Sequence, residues 1–200
     1  MVVTMEHNPY IPKTAEIIDI KQEVGGIRPI KTFKTVLLNG NKFSHKCGQC
    51  AMISVLGKGE SMISIASSPL EPNYLQFSIM KMGRVTSALH DLEKGSKIGI
   101  RGPYGNNFPI ENWKGKNLIF IGGGIGLAPI WSVLQTALKE RDQYKDISLF
   151  YGARSSKDIV FKEELENLKK QINVDLSIDI EEPEWKDYVD MAWENLLAGK

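Results

Sequence analysis

Short stretches of alternating apolar and polar residues dominate the first half of the chain. Ala15–Lys21, Ile30–Leu38, Cys50–Leu56, Met62–Ala66, Tyr74–Met80 and Lys97–Ile100 each carry β-branched and apolar residues in partial alternation, the period of a half-buried strand. Gly25-Gly26, Asn39-Gly40-Asn41 and Gly57-Lys58-Gly59 supply turn chemistry between them. About six short strands punctuated in this way predict an antiparallel barrel or sandwich. One helix interrupts them, around Thr86–Glu93, and ends at Gly95. After Pro109–Lys116 the period changes. Asn117–Ile121, Ile147–Tyr151 and Val174–Ile180 read as strands, and Leu127–Lys139, Ile159–Lys170 and Tyr188–Leu197 as helices. Strand–helix alternation predicts a parallel sheet with right-handed crossovers. The expected fold class is therefore β + α/β, a barrel over residues 1–112 and a parallel-sheet domain over 113–200.

Composition adds exclusions. The chain has 200 residues, 42% of them hydrophobic, and 25 Lys+Arg against 24 Asp+Glu for a net charge of +1. Enough apolar surface is present for a packed core, which argues against a disordered protein. A near-zero charge argues against a nucleic-acid binder, which shows a basic excess. Met1–Tyr10 has no basic segment followed by an apolar one, and no apolar run reaches the roughly 18 residues of a membrane span. A cytoplasmic protein with no membrane span is expected.

The strongest chemical signal is Asn117–Trp131, in which an apolar strand runs into Gly122-Gly123-Gly124-Ile125-Gly126 and then a helix. Glycines permit a tight turn and let a diphosphate approach the backbone. The helix beyond points amides and its positive dipole end at such an anion. The spacing Gly124-x-Gly126-x-x-Pro129 departs from the dinucleotide fingerprint, which has a third glycine. His45-Lys-Cys47-Gly-Gln-Cys50 offers a C-x-x-C pair, which suits a redox disulfide, half a zinc site, or a buried apolar substitute at Cys50. No second pair exists, and no metal site is expected. His90 is expected at the surface or in packing.

Several motifs stand in one order: Gly48-Gln49, Ile63-Ser64-Ile65-Ala66-Ser67-Ser68-Pro69, Gly83-Arg84-Val85-Thr86, Gly102-Pro103-Tyr104-Gly105, the glycine turn, and Tyr151-Gly152-Ala153-Arg154. In this the chain resembles the ferredoxin–NADP reductase superfamily, from Asn8-Pro9-Tyr10 to about Val189. More narrowly, it resembles the reductase subunits associated with hydrogenase, sulfite reductase and heterodisulfide reductase complexes. The resemblance implies a flavin-binding barrel followed by an NAD(P)-binding domain, with FAD and NAD(P)H as cofactors. It also implies one or more iron–sulfur protein subunits as partners. The superfamily's Arg-x-Tyr-Ser flavin segment falls on Ser61-Met62-Ile63-Ser64, with Ser61 in place of Arg and Ile63 in place of Tyr.

Ser64 is thereby implied beside the flavin N5 edge as the catalytic contact, with Ile63 covering the ring. Gly83, Arg84, Val85 and Thr86 are implied at the flavin diphosphate. Arg84 is expected to supply the charge missing at Ser61, and Thr86 or Ser87 to cap the following helix. Gly123, Gly124, Ile125, Gly126 and Pro129 are implied at the nucleotide, with Arg154 near the adenosine ribose. Arg154, Lys157 and Asp158 mix the signals for NADPH and NADH. Relatives continue with two further strands, so the second domain is expected to lack its last strands or to be completed by a partner. The implied function is hydride transfer between NAD(P)H and bound FAD in an electron-transfer subunit. The alternative is a non-catalytic regulatory or structural subunit that keeps the reductase fold. A third reading is a thiol-redox protein using Cys47 and Cys50.

Overall fold

The computed structural model describes residues 10–38 and 43–180. The turn expected at Asn39–Asn41, Asn8-Pro9, and the helix expected at Tyr188–Leu197 lie outside the described residues. Six strands form one antiparallel sheet: β1 (Lys13–Val24), β2 (Ile30–Leu37), β3 (Cys50–Val55), β4 (Gly59–Ser64), β5 (Leu75–Met80) and β6 (Lys97–Tyr104). Their order is β4-β3-β6-β1-β2-β5. The chain beyond β4 returns to β5 through Ala66 N–H to Gln76 O at 2.8 Å, so the two outer strands approach and the sheet curls into a barrel. Ala15, Ile17, Phe33, Ala51, Ile53, Ile65, Phe77 and Ile100 fill its interior, as period-2 alternation requires. Helix α1 (Arg84–His90) packs Leu89 and His90 against this core.

The second sheet is parallel, with order β7-β8-β9: β7 (Leu118–Gly123), β8 (Ile147–Ala153) and β9 (Asn173–Ile178). Helices α2 (Leu127–Lys139) and α3 (Lys162–Leu168) follow β7 and β8. Leu127, Trp131, Val133 and Leu134 of α2 are buried, and so are its Ser132 and Thr136. A helix buried on more than one face lies between two layers. Here they are the parallel sheet and the barrel, because Val24, Ile30 and Cys47 share one core cluster with β7, β8 and α2.

Several element bounds differ from the expectation, those of β1, β6 and α1 among them, and two of the shifts have a direct backbone cause. β4 spans Gly59–Ser64 rather than Met62–Ala66, because from Ile65 onward the backbone leaves β3 and bonds Gln49 O and Gln76 O instead. Helix α3 begins at Lys162 rather than Ile159, because Phe161, its N-cap residue, is held at φ 58 in the left-handed region. Among the described residues, no helix is long and apolar enough to cross a membrane.

Candidate functional site

The barrel and the parallel sheet each present one half of the site. In the barrel, β4 pairs with β3 so that Ile63 lies opposite Ala51 and Ser64 opposite Cys50. Directly opposed residues share a face. Ile63 is therefore on the inner side with the fully buried Ala51, whereas Ser64 is on the outer side in a row with Cys50 and Tyr104. Ile63 packs against the barrel core together with Val85 of α1. The β3–β4 hairpin also lies beside α1, since a Cβ on Gly59 would sit 3.5 Å from the Arg84 guanidinium and 3.6 Å from Val85. Ile63 and Val85 thus share the barrel core, and Arg84 lies beside the Gly59 end of the β3–β4 hairpin.

The α1 N-terminus corrects one expectation. Gly83, not Thr86 or Ser87, is the N-cap residue, in extended backbone. Thr86 instead turns back, its Oγ1 accepting the Met82 and Gly83 amides at 2.9 Å each. The first-turn amides of Arg84 and Val85 have no helical acceptor, as at any helix start. Arg84 is exposed, and a Cβ on Gly83 would meet nothing within 4 Å. This is an open cradle of the kind an extended phosphate ligand needs.

In the second half, β7 delivers the glycine turn to the carboxyl end of the parallel sheet, where open α/β sheets bind ligands. Gly122 permits close packing, because a Cβ there would come 3.2 Å from Ile130. Gly124 has φ +49, and Gly124 and Gly126 both face open space. Pro129 stands in the first turn of α2, where its missing N–H leaves no helical bond unmade. Ile125 is half-buried against the core. One residue the motif reading had not assigned holds the turn in place. The Tyr151 hydroxyl donates to Gly124 O at 3.2 Å and accepts the Val160 amide at 3.2 Å. Burial pushes its phenol pKa up, so it remains a donor. Arg154 follows β8 and is exposed, as is Lys157. Asp158 is already engaged by the Ser155 hydroxyl at 2.6 Å.

The C-x-x-C pair does not form a disulfide; both thiols are free. It is Cys47 rather than Cys50 that is buried, and burial raises its pKa. Both histidines described are packed: His45 Nε2 bonds Ser67 O at 3.2 Å and His90 Nε2 bonds Ile79 O at 2.8 Å. Burial lowers both pKa values. Among the described residues, no group of three His, Cys, Asp or Glu side chains is placed to hold a metal. A cavity of about 590 Å³ lies on the outer barrel face around Ser54–Gly57 and Gly99 and holds none of the expected site residues. An apolar pocket of about 430 Å³ runs along β7, lined by Phe108, Trp113, Ile119, Ile121 and Ile130.

The chain thus joins a curled antiparallel barrel, with α1 beside β4, to a parallel sheet that carries a glycine turn. Comparisons with known proteins agree. Residues 120–192 match the oxidoreductase NAD-binding domain family. The chain is 39% identical over 184 residues to the sulfhydrogenase 2 subunit gamma of Pyrococcus furiosus, covering 88% of this chain and 62% of that protein. It is 41% identical over 128 residues to the sulfhydrogenase 1 subunit gamma of the same organism, covering 64% and 44%. The chain thus spans less than two thirds of the length of these relatives. Among solved structures, the ferredoxin–NADP+ reductase of Plasmodium falciparum has the same fold, with a TM-score of 0.74 at 21% identity over 92% of this chain and 78% of that one. The chain thus has the fold of the ferredoxin–NADP+ reductases and is similar in sequence to sulfhydrogenase gamma subunits.

Proposed function

We propose that the chain is the electron-transfer part of a flavin-dependent oxidoreductase subunit, moving hydride between NAD(P)H and bound FAD and exchanging electrons with an iron–sulfur partner. The observation that carries this reading is the Gly122–Gly126 turn, pinned by Tyr151 at the carboxyl end of a parallel sheet, in the same chain as the β4–α1 cradle. The relatives' names support it: they include sulfhydrogenase gamma subunits and a dihydroorotate dehydrogenase electron transfer subunit. FAD, when bound, supplies the conversion between a two-electron hydride donor and a one-electron acceptor.

The residues' roles follow from their places. Ile63 faces the barrel core together with Val85, so it backs β4 from within rather than covering a ring on the strand's outer face. Ser64 brings a hydroxyl to the outer edge of the same strand. Arg84 and the α1 amides would hold the diphosphate, with Thr86 keeping the Met82–Gly83 segment in shape. Gly123, Gly124, Ile125, Gly126 and Pro129 form the nucleotide turn, and Arg154 stands at the end of β8 for the adenosine ribose. None of these groups needs to move a proton, which suits chemistry carried by the cofactors.

Anaerobic visible spectra of the protein loaded with FAD test this. Bleaching of the flavin band by NADH or NADPH is the expected result, and the faster nucleotide is the preferred one. A band that persists with both nucleotides refutes hydride transfer and supports the non-catalytic alternative, which the Ser61 and Ile63 departures favour. Failure to bind FAD at all refutes the flavin reading.

A further inference from the structure

A wholly buried polar cluster joins the barrel to α2, and cofactor binding accounts for none of it. Ser132 Oγ donates to Ser67 O at 2.7 Å. The Thr136 hydroxyl donates to Ser132 O at 2.8 Å along its own helix, so it acts as an acceptor towards its other neighbours. Ser68 Oγ, at 2.7 Å, and Cys47 Sγ, at 3.2 Å, therefore both donate to Thr136 Oγ1. That fills all three hydrogen-bonding places of one hydroxyl. Ser68 Oγ in turn accepts the Leu70 amide at 3.1 Å, and His45 Nε2 meets Ser67 O at 3.2 Å. Cys47, Ser67, Ser68, Ser132 and Thr136 are each no more than 4% exposed.

Such a network contributes little net stability over apolar packing of the same shape. What it supplies is a single geometry, because a satisfied buried network does not tolerate sliding as an apolar contact does. Its place in the chain gives that geometry a use. Ser67 and Ser68 stand three and four residues beyond Ser64, the end of β4. Ser132 lies six residues beyond Gly126 on α2, about 9 Å along the axis at 1.5 Å per residue. The network ties the end of the flavin-type strand to the helix that opens at the nucleotide turn.

We infer that Ser67, Ser68, Cys47, Ser132 and Thr136 form a clasp that sets the approach of the nicotinamide to the flavin, with Thr136 as its central positioning residue. The inference rests on the hydride-transfer reading above for its functional meaning. Displacements of about 1 Å cost on the order of 10²-fold in well-aligned reactions.

The test compares Thr136→Val, Thr136→Ser and Ser68→Ala in the full chain loaded with FAD. Stopped-flow flavin reduction at saturating nucleotide gives the hydride-transfer rate. Separate titrations give FAD and nucleotide affinity. Thr136→Val is expected to slow transfer about 10- to 100-fold with both affinities within about threefold. Thr136→Ser keeps the hydroxyl and is expected to keep the rate. A loss of melting temperature with an unchanged transfer rate overturns the proposal. Should the parent chain transfer no hydride, the functional reading fails, and residual dipolar couplings still judge the clasp. An unchanged alignment of barrel against parallel sheet in Thr136→Val overturns it, and an altered one supports it. Ser68→Ala carries the same measurements should Thr136→Val fail to fold.

Discussion

Phe161 sits at the entry to α3 in a conformation that reverses an ordinary expectation. It is 1% exposed, its ring stacks on Trp131 at 4.4 Å between centroids, and its φ is 58. Its amide donates to Glu23 Oε2 at 3.1 Å across the junction with β1. Truncation to Ala removes a fully packed ring and leaves a cavity, which costs about 3–5 kcal/mol. At about 2–4 °C per kcal/mol for a chain of this size, Phe161→Ala melts about 10 °C below the parent. Glycine at most positions is worse than alanine by about 0.5–1 kcal/mol. At Phe161 the left-handed backbone costs any residue with a Cβ about 1–2 kcal/mol, and glycine is relieved of it. Phe161→Gly is therefore expected to melt about 2 °C above Phe161→Ala, although both melt below the parent. Calorimetry on the three proteins at one pH decides the matter. A Phe161→Gly melting point below that of Phe161→Ala refutes the backbone argument. A drop of less than about 3 °C in Phe161→Ala refutes the packing argument.

Further outcomes follow from neighbouring groups. Tyr151→Phe strips the Gly124 carbonyl and the Val160 amide of their shared partner. It is expected to weaken nucleotide binding about fivefold, a little under 1 kcal/mol, by calorimetric titration; unchanged binding means the turn holds itself. Gly48→Ala meets both φ +86 and a Cβ placed 2.6 Å from Phe108, and a loss of about 3 kcal/mol in urea unfolding is expected. Burial pushes the Glu23 carboxyl pKa up, so the parent loses stability as pH rises from about 4.3 through the folded value. Glu23→Gln is expected to gain on the parent over that window, and melting curves at pH 4 and pH 7 with equal differences would exclude this. Lys21 bonds Glu164 at 2.8 Å, and although burial alone lowers its pKa, the Glu164 and Glu163 hydrogen bonds raise it overall. Its contribution is present below about pH 10 and lost as pH rises through the raised value. The gap between parent and Lys21→Met should narrow only in that alkaline range.

Local chemistry made much of this molecule readable. The barrel strands declare themselves by alternation, and α2 begins and ends where its periodicity says, because Gly126 and Lys139 bound a continuous apolar stripe. The glycine turn is legible because strand, turn and helix are adjacent in the chain. What escaped depends on distance. Ser67 and Ser132 are 65 positions apart, and nothing local to either marks it as a partner of the other. The sequence points to Cys50 as the buried cysteine, but burial falls on Cys47, because α2 lies over it. The Gly83 cap was hidden by Thr86, a good capping residue that here serves the loop before the helix. The start of α3 was misplaced because Phe161 carries no sign of its left-handed backbone.

The shared core has a consequence for how the molecule melts. Val24, Ile30 and Cys47 belong to strands and loops of the barrel, yet their apolar neighbours include residues of β7, β8 and α2. Neither half can lose its structure without exposing part of the other's interior. Folding free energy is therefore pooled across the junction, and heat should take both halves apart in a single calorimetric transition. A chain cut near residue 112 would leave each fragment with an uncovered apolar face, prone to associate rather than to work alone. Selection on such a chain acts on one cooperative unit, so changes that tune the nucleotide half are felt as changes in the stability of the flavin half.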